Sequence, residues 1–332
     1  MKIENIHSQE HKLHKPSIVE EEATDSCYLY DWICSFFSFL GELFATIFCL
    51  KCDSPEQNSL QNRNITLQDL FISSKPIGIY RKGNNCCINV IAQLVIHNKS
   101  LRNAFSNDPN WRAFIDAYAL SLKTRNPVDA RYCVALRESM REVVDPRRQT
   151  DSGNLLRNFA DKNKYVNFTS ALLPQNSHAE TRFLESIYLP LCSKHDYSLP
   201  DLIDCELTVS NNNKWKKREI TDAPEDLILW HSDKVTPTLV KGGHPLTLEL
   251  SEHYFANNKP ARYECDFIVL HQGTEDSGHY VCVRKVNGSW YWINDHESFS
   301  IKHDTLTSVE ELLASAGQNN WTCQGLNYKR VD

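Results

Sequence analysis

Two stretches of the sequence carry side chains that could do chemistry together. "GNNCCINVIAQL" (83–94) sets two thiols, Cys86 and Cys87, side by side ahead of an apolar run, and "SGHYVCVRKVNGSWYWINDHES" (277–298) supplies His279, Asn294 and Asp295. A thiol at the start of a helix lies where backbone N–H groups and the helix dipole favour negative charge, which raises its thiolate fraction. Hydrolysis by a thiolate also needs a base to take and return the proton and a third group to orient that base. Taken alone, each piece has a plain reading: buried cysteines are usually small core residues, and a lone histidine is usually a satisfied structural one. Their combination is what points to thiol hydrolysis.

The elements around these residues must bring them together. Asn84 and Asn85 can cap a helix whose apolar stripe is Ile88, Ile91, Leu94 and Val95, so that helix is expected to be central and buried. Asn287-Gly288 is a two-residue hairpin signal, because a type I′ turn needs positive φ at both central positions. With that turn Val281 lies opposite Asn294 and His279 opposite His296, so Asn294 becomes a diagonal neighbour of His279, roughly 7 to 8 Å away by Cα. Asp295 then points to the other face. The spacing therefore favours Asn294 over Asp295 as the orienting group, and a three-residue turn would reverse the choice.

From about Pro76 to the carboxy terminus the pattern is α+β, with helices first and strands later. "SLRNAF", "NWRAFIDAYALSLKT" and "DARYCVALRESMREVV" place apolar residues at helical spacing, with Asp129 as a cap, and "ETRFLESIYLPL" (180–191) reads as a further short helix. "PLTLELSEHYF", "RYECDFIVLHQG", "HYVCVRKV" and "SWYWIND" read as strands. No repeat and no glycine-rich phosphate loop appears.

These residues resemble the ubiquitin-specific proteases, the papain-like cysteine deubiquitinases. The cysteine region of that family, Gly-Leu-x-Asn-x-Gly-Asn-Thr-Cys-(Phe/Tyr)-Met-Asn-Ser-x-Leu-Gln-x-Leu, runs in step with "GIYRKGNNCCINVIAQLV" (78–95), where Gly78, Gly83, Asn84, Cys86, Asn89 and Gln93 coincide. The histidine region is similar at Gly278-His279-Tyr280 and Trp290 to Asp295, and "QNSHAETRFLESI" (175–187) is similar to the helix between them. The resemblance implies a papain-like fold, a helical subdomain followed by an antiparallel β subdomain, over a catalytic domain at 76–332. It implies a triad of Cys86, His279 and Asn294, with Asn84, Arg81 and Asp295 supporting the oxyanion or the triad. It also implies contacts to a ubiquitin tail from Asn176, His178, Gly278 and Tyr280. Arg81 stands where the family has an oxyanion-donating Asn, and Asn176 where it has an acid. The paired Cys-x-x-Cys motifs of the family's zinc fingers are missing, so a compact form with no cofactor and no metal is expected. The activity implied is hydrolysis of the isopeptide bond at a ubiquitin carboxy terminus; the alternatives are action on another ubiquitin-like modifier, or a silent ubiquitin-binding membrane protein.

The rest of the chain bounds partners and place. Among 332 residues, 36 Lys and Arg against 42 Asp and Glu give a net charge of -6 with no basic stripe, which argues against nucleic acid. Residues 1–26 are polar and without period and read as a disordered tail. Residues 27–52 are the most apolar part; Trp32 to Leu50 as a helix would span about 28 Å, close to the hydrocarbon thickness of a bilayer. Glu42 near its centre opposes insertion by roughly 2 to 3 kcal/mol. Two readings stay open for 32–50: a membrane anchor, and a helix packed on the catalytic domain or a partner. Cys27, Cys34, Cys49 and Cys52 around it suit lipidation or burial better than zinc, since an apolar helix would part the pairs. Residues 53–75 read as a polar linker. The twelve dispersed cysteines and an amino terminus without a basic, then apolar, leader suggest reduced thiols on the cytoplasmic face, and the short unconventional form would suit secretion into a host cell.

Overall fold

The computed structural model describes residues 66–141, 151–162, 172–173, 186–191, 197–211, 214–217, 219–220, 223–231, 240–274, 277–301, 305–318 and 320–331. Among the described residues six helices come first: α1 (Leu67–Ser73), α2 (Cys86–His97), α3 (Lys99–Phe105), α4 (Pro109–Thr124), α5 (Ala130–Glu138) and α6 (Ser152–Lys162). Then come β1 (Leu172–Leu173), β2 (Ser186–Leu191), α7 (Leu199–Leu207), β3 (Thr208–Asn211), β4 (Lys214–Lys217), β5 (Glu219–Ile220) and β6 (Asp226–His231). The chain ends with β7 (Thr247–Leu250), β8 (Ala261–Gly273), β9 (Gly278–Val286), β10 (Ser289–Asn294), β11 (Glu297–Ile301), α8 (Val309–Ser315) and β12 (Thr322–Arg330).

Short polar side chains start the helices by accepting hydrogen bonds from otherwise unpaired first-turn N–H groups. Asp108 accepts from the N–H groups of Asn110 and Trp111 ahead of α4, with Pro109 at its first position, and Asp129 accepts from Arg131 N–H ahead of α5. Asn98 both ends α2, donating its N–H to Leu94 O, and caps α3 through Leu101 N–H. The main sheet runs β11-β10-β9-β8-β12-β6-β2, with β7 also paired to β8. All these pairs are antiparallel except β2 with β6.

The sheet is buried on both faces, and strand alternation sorts its residues between two cores. Ile228 and Trp230 of β6, Phe267 and Val269 of β8 and Tyr280 and Cys282 of β9 pack with the helices that precede the sheet. Their neighbours Leu227, Leu229, Ile268, Leu270, Val281 and Val283 face the other way, onto α7, α8 and β7. Strand β6, "DLILWH", is accordingly buried at every position, which is why it reads as a continuous apolar run and not as an alternation.

The sequence expectations need three corrections. Part of the expected linker 53–75 is helix α1, closed by a capping box in which Thr66 and Asp69 exchange hydrogen bonds, and Phe71 from it is 1 % exposed in the first core. The expected helix at 180–191 is strand β2 over its last six residues, where parallel pairing with β6 outweighs the local helical spacing. Two helices, α7 and α8, fall among the later elements that were expected to be mainly strands. The tail 1–26, the apolar segment 27–52 and residues 53–65 lie outside the described residues. Among the described residues no helix is long and apolar enough to cross a membrane.

Candidate active site

Cys86 is the first residue of α2, and both it and Cys87 are 1 % exposed. The expected capping by Asn84 and Asn85 does not form: Asn85 takes the N-cap position but makes no side-chain cap bond. Its Oδ1 instead accepts from Arg137 Nη1 at 3.1 Å, and the same nitrogen donates to Asn84 O at 2.9 Å, so an arginine from α5 holds the loop. With no side-chain cap, the amide dipoles of the first turn act on Cys86. Further along α2, Gln93 Nε2 donates to Ile77 O at 2.7 Å and Tyr118 Oη donates to Gln93 Oε1 at 2.9 Å, which seats the helix against the 77–80 segment. Cys87 turns away, its sulfur 3.8 Å from Asn84 O.

On the strand side the turn at Asn287-Gly288 has φ of 48° and 81°, and β9 and β10 pair from Val286 with Ser289 through Cys282 with Ile293. That is the register expected from a two-residue turn. It places Asn294 Oδ1 2.7 Å from His279 Nε2. The carboxamide oxygen only accepts, so the imidazole proton sits on Nε2 and Nδ1 is the nitrogen able to take a thiol proton. Beyond Asn294 the register breaks, because Asn294 pairs with Glu297 of β11 and Asp295-His296 form a second tight turn. His296 therefore does not face His279.

Asp295 departs from expectation for the same reason. At φ 50° it lies in the left-handed region, so side-chain alternation stops there and its carboxylate swings toward the site. Oδ1 accepts from Asn89 Nδ2 at 2.9 Å, and Oδ2 lies 3.6 Å from His279 Nε2. Its backbone oxygen accepts from Ile79 N–H at 2.7 Å. Asp295 thus ties α2, the 77–80 segment and the histidine to one turn. Gly78 belongs to this seam: a Cβ there would overlap the Asp295 and His296 backbone.

The thiol and the imidazole are hydrogen-bonded and shift each other. Burial pushes the Cys86 thiol up, but the hydrogen bond with His279, one from the Tyr280 backbone, and the charges of His279 and Arg81 together bring it below its ordinary value. The bond with Cys86 raises His279; burial opposes that, while the Asn294 bond and the charges of Cys86 and Asp295 add to it. Both shifts favour a thiolate beside an imidazolium.

The remaining expected residues divide. Arg81 donates from Nε to Gly83 O at 3.0 Å, and its Nη1 lies 3.5 Å from His279 Nδ1 and 3.9 Å from Asp295 Oδ2. Asn84 is exposed, two residues before Cys86. Gly278 sits where a Cβ would overlap Gln272 O and the His271 ring. The Tyr280 side chain is buried in the first core against His271, ring centroids 4.5 Å apart, so its backbone and not its phenol faces the thiol. Asn176 and His178 lie outside the described residues. Two contributors were given no role in the sequence reading. Asn89, one helical turn past Cys86 and among the residues matched to the family motif, holds Asp295. Trp321 meets the His279 ring edge-on at 6.0 Å and Trp292 at 5.6 Å, and nothing local marks it.

Comparison with known proteins bears on the fold and the family. Among curated proteins no relative matches the chain. The yeast SAGA deubiquitinating module Ubp8/Sgf11/Sus1/Sgf73 is similar in structure. In complex with ubiquitin aldehyde it gives a TM-score of 0.53 at 17 % identity, covering 77 % of this chain and 70 % of that one. Without that ligand the values are 0.55 and 16 %, covering 83 % and 72 %. At such identity the likeness speaks for the fold alone, a papain-like arrangement of helices against an antiparallel sheet. Residues 77–318, well over half of the chain, match the family described as ubiquitin carboxyl-terminal hydrolase. The chain therefore belongs to the ubiquitin carboxyl-terminal hydrolase family of cysteine-type hydrolases.

Proposed function

We propose that the chain hydrolyses the isopeptide bond at the carboxy terminus of ubiquitin, with Cys86 as nucleophile, His279 as base and acid, and Asn294 orienting the imidazole. The observation that carries this reading is the pair of contacts on one ring: Asn294 Oδ1 on Nε2 at 2.7 Å, and the Cys86 thiol hydrogen-bonded to the same histidine. His279 takes the thiol proton, and the thiolate attacks the carbonyl of the terminal glycine. The tetrahedral intermediate collapses as imidazolium protonates the departing lysine amine, leaving a thioester. Water, deprotonated by His279, then releases the ubiquitin carboxylate and the thiol. The first-turn amides of α2, which Cys86 begins, and the Arg81 guanidinium, 3.5 Å from His279 Nδ1, stabilise the developing oxyanion. Asp295, held by Asn89, adds negative charge behind the imidazolium. The ubiquitin aldehyde complex of the similar module supports ubiquitin as substrate here.

A ubiquitin probe with a cysteine-reactive carboxy terminus tests it. Wild type and Cys87→Ala are expected to label and Cys86→Ala is not; labelling that survives Cys86→Ala and vanishes in Cys87→Ala would overturn the assignment. Arg81 favours one second reading, specificity for another ubiquitin-like modifier, since it alters the oxyanion side of the site. A panel of modifiers carrying a fluorescent leaving group separates the two by turnover.

A further inference from the structure

Away from the active site, three metal-ligating side chains converge where β6, β12 and the approach to β7 meet. His231 ends β6, His244 stands three residues before β7, and Cys323 is the second residue of β12. Their ligand atoms all lie within 4.8 Å of one another. The residues are 2 %, 4 % and 9 % exposed. The two Nε2 atoms face each other at 2.8 Å with the rings at 85°. From α8, Glu310 accepts from His244 Nδ1 at 2.6 Å and from its backbone N–H at 2.9 Å. A carboxylate only accepts, so the His244 proton is on Nδ1 and the Nε2 lone pair points into the cluster. A carboxylate behind a histidine in this way is the arrangement that orients an imidazole for a metal and raises its basicity. His231 keeps a buried Nδ1 with no partner among the described residues, and the Cys323 sulfur has only a 3.9 Å approach to Gly325 O. With no ion, His231 donates its Nε2 proton to His244 Nε2, so the three ligand atoms already converge and an ion can take both nitrogens once that one proton moves.

We propose that His231 Nε2, His244 Nε2 and Cys323 Sγ bind a zinc ion that staples β6, β12, the approach to β7 and, through Glu310, α8. Two imidazoles and one thiolate are ligands of borderline softness that suit zinc and not magnesium or calcium. Tetrahedral zinc with bonds of about 2.0 Å to nitrogen sets its nitrogen ligands roughly 3.3 Å apart, so the facing rings open by about half an ångström and the fourth vertex is left to water. On binding, the Cys323 thiol loses its proton to solvent and the His231 proton moves from Nε2 to Nδ1, so both histidines ligate as neutral imidazoles. The ligands are far apart in sequence and form no Cys-x-x-Cys pair, which is why spacing led to the expectation of a metal-free chain.

The test uses the full-length chain stripped with chelator and titrated with zinc or cobalt(II) alone. Cobalt is expected to give tetrahedral visible bands and a thiolate charge-transfer band that disappears in Cys323→Ser. Zinc is expected to slow alkylation of wild-type Cys323, read by mass spectrometry, at least tenfold. Glu310→Gln keeps all three ligands and is expected to weaken zinc binding about 10- to 100-fold. Because the alkylation readout needs no variant, it decides even if Cys323→Ser folds poorly. Alkylation of Cys323 indifferent to zinc, or a cobalt spectrum unchanged by Cys323→Ser or His244→Ala, would overturn the site.

Discussion

The two sides of the active site are built by different means. His279 and Asn294 lie on one hairpin with a two-residue turn, just beyond an unbroken run of five residue pairs between β9 and β10. Cys86 arrives on a helix from the far end of the domain, and its position depends on long-range bonds: Gln93 to Ile77, Tyr118 to Gln93, Asn89 to Asp295 and Ile79 to Asp295. The strand side is therefore a local unit in which one substitution changes the titration of His279. The helix side is a packing arrangement in which a substitution moves Cys86 and acts on His279 only through the bond the two share.

Four substitutions test that contrast. Asn294→Ala strikes the base directly and is expected to lower kcat/KM about 10²- to 10³-fold. The Asn294 bond helps hold His279 above its ordinary value, so the alkaline limb of the pH profile, where imidazolium is lost, should move to lower pH. An alkaline limb that stays in place would mean Asn294 does not act on His279. Gln93→Ala strips partners from Ile77 O and the Tyr118 hydroxyl in the core, and urea unfolding should record a loss of about 1 to 3 kcal/mol. Its kcat/KM should fall, and as Cys86 shifts against His279 the weakened bond between them should move the acid limb to higher pH and the alkaline limb to lower pH, whereas Asn294→Ala moves the alkaline limb alone. Gly288→Ala forces a side chain into a turn position at φ 81°; unfolding should show about 1 to 2 kcal/mol of destabilisation. Weakening of activity beyond that loss of folded protein would show that the turn also sets the fine position of Asn294. Arg81→Asn is expected to change kcat/KM least, by under about tenfold, because this partly exposed arginine is screened by solvent. Arg81 helps hold the Cys86 thiol down, so its removal should move the acid limb, where thiolate is protonated, to higher pH.

What could be read in advance follows the same division. The Asn287-Gly288 turn determines a register through backbone sterics alone, and that register survives into the fold. Asp295 was misplaced because its positive φ belongs to a second tight turn, Asp295-His296, that contains no glycine to mark it, and because the Ile79 bond that holds the turn comes from far along the chain. The segment ending "SIYLPL" looked helical by spacing and became a strand because β6 offers it a parallel partner. Helix α1 is the opposite case: its Thr66 and Asp69 capping box is a local signal that a polar composition obscured.

By itself the sequence determined the chemistry on offer: a thiol leading a helix, a histidine and a carboxamide on one hairpin, and a motif shared with a family of hydrolases. Period, cap and turn are properties of neighbouring residues, and so they are written locally. Only the tertiary structure decided which groups meet across the chain. It buried the Tyr280 ring, turned Asp295 toward His279, set Arg81 along the imidazole, and gathered His231, His244 and Cys323 around one point. Such meetings depend on how a sheet orders its strands and on which core each face covers, and no spacing along the chain records either.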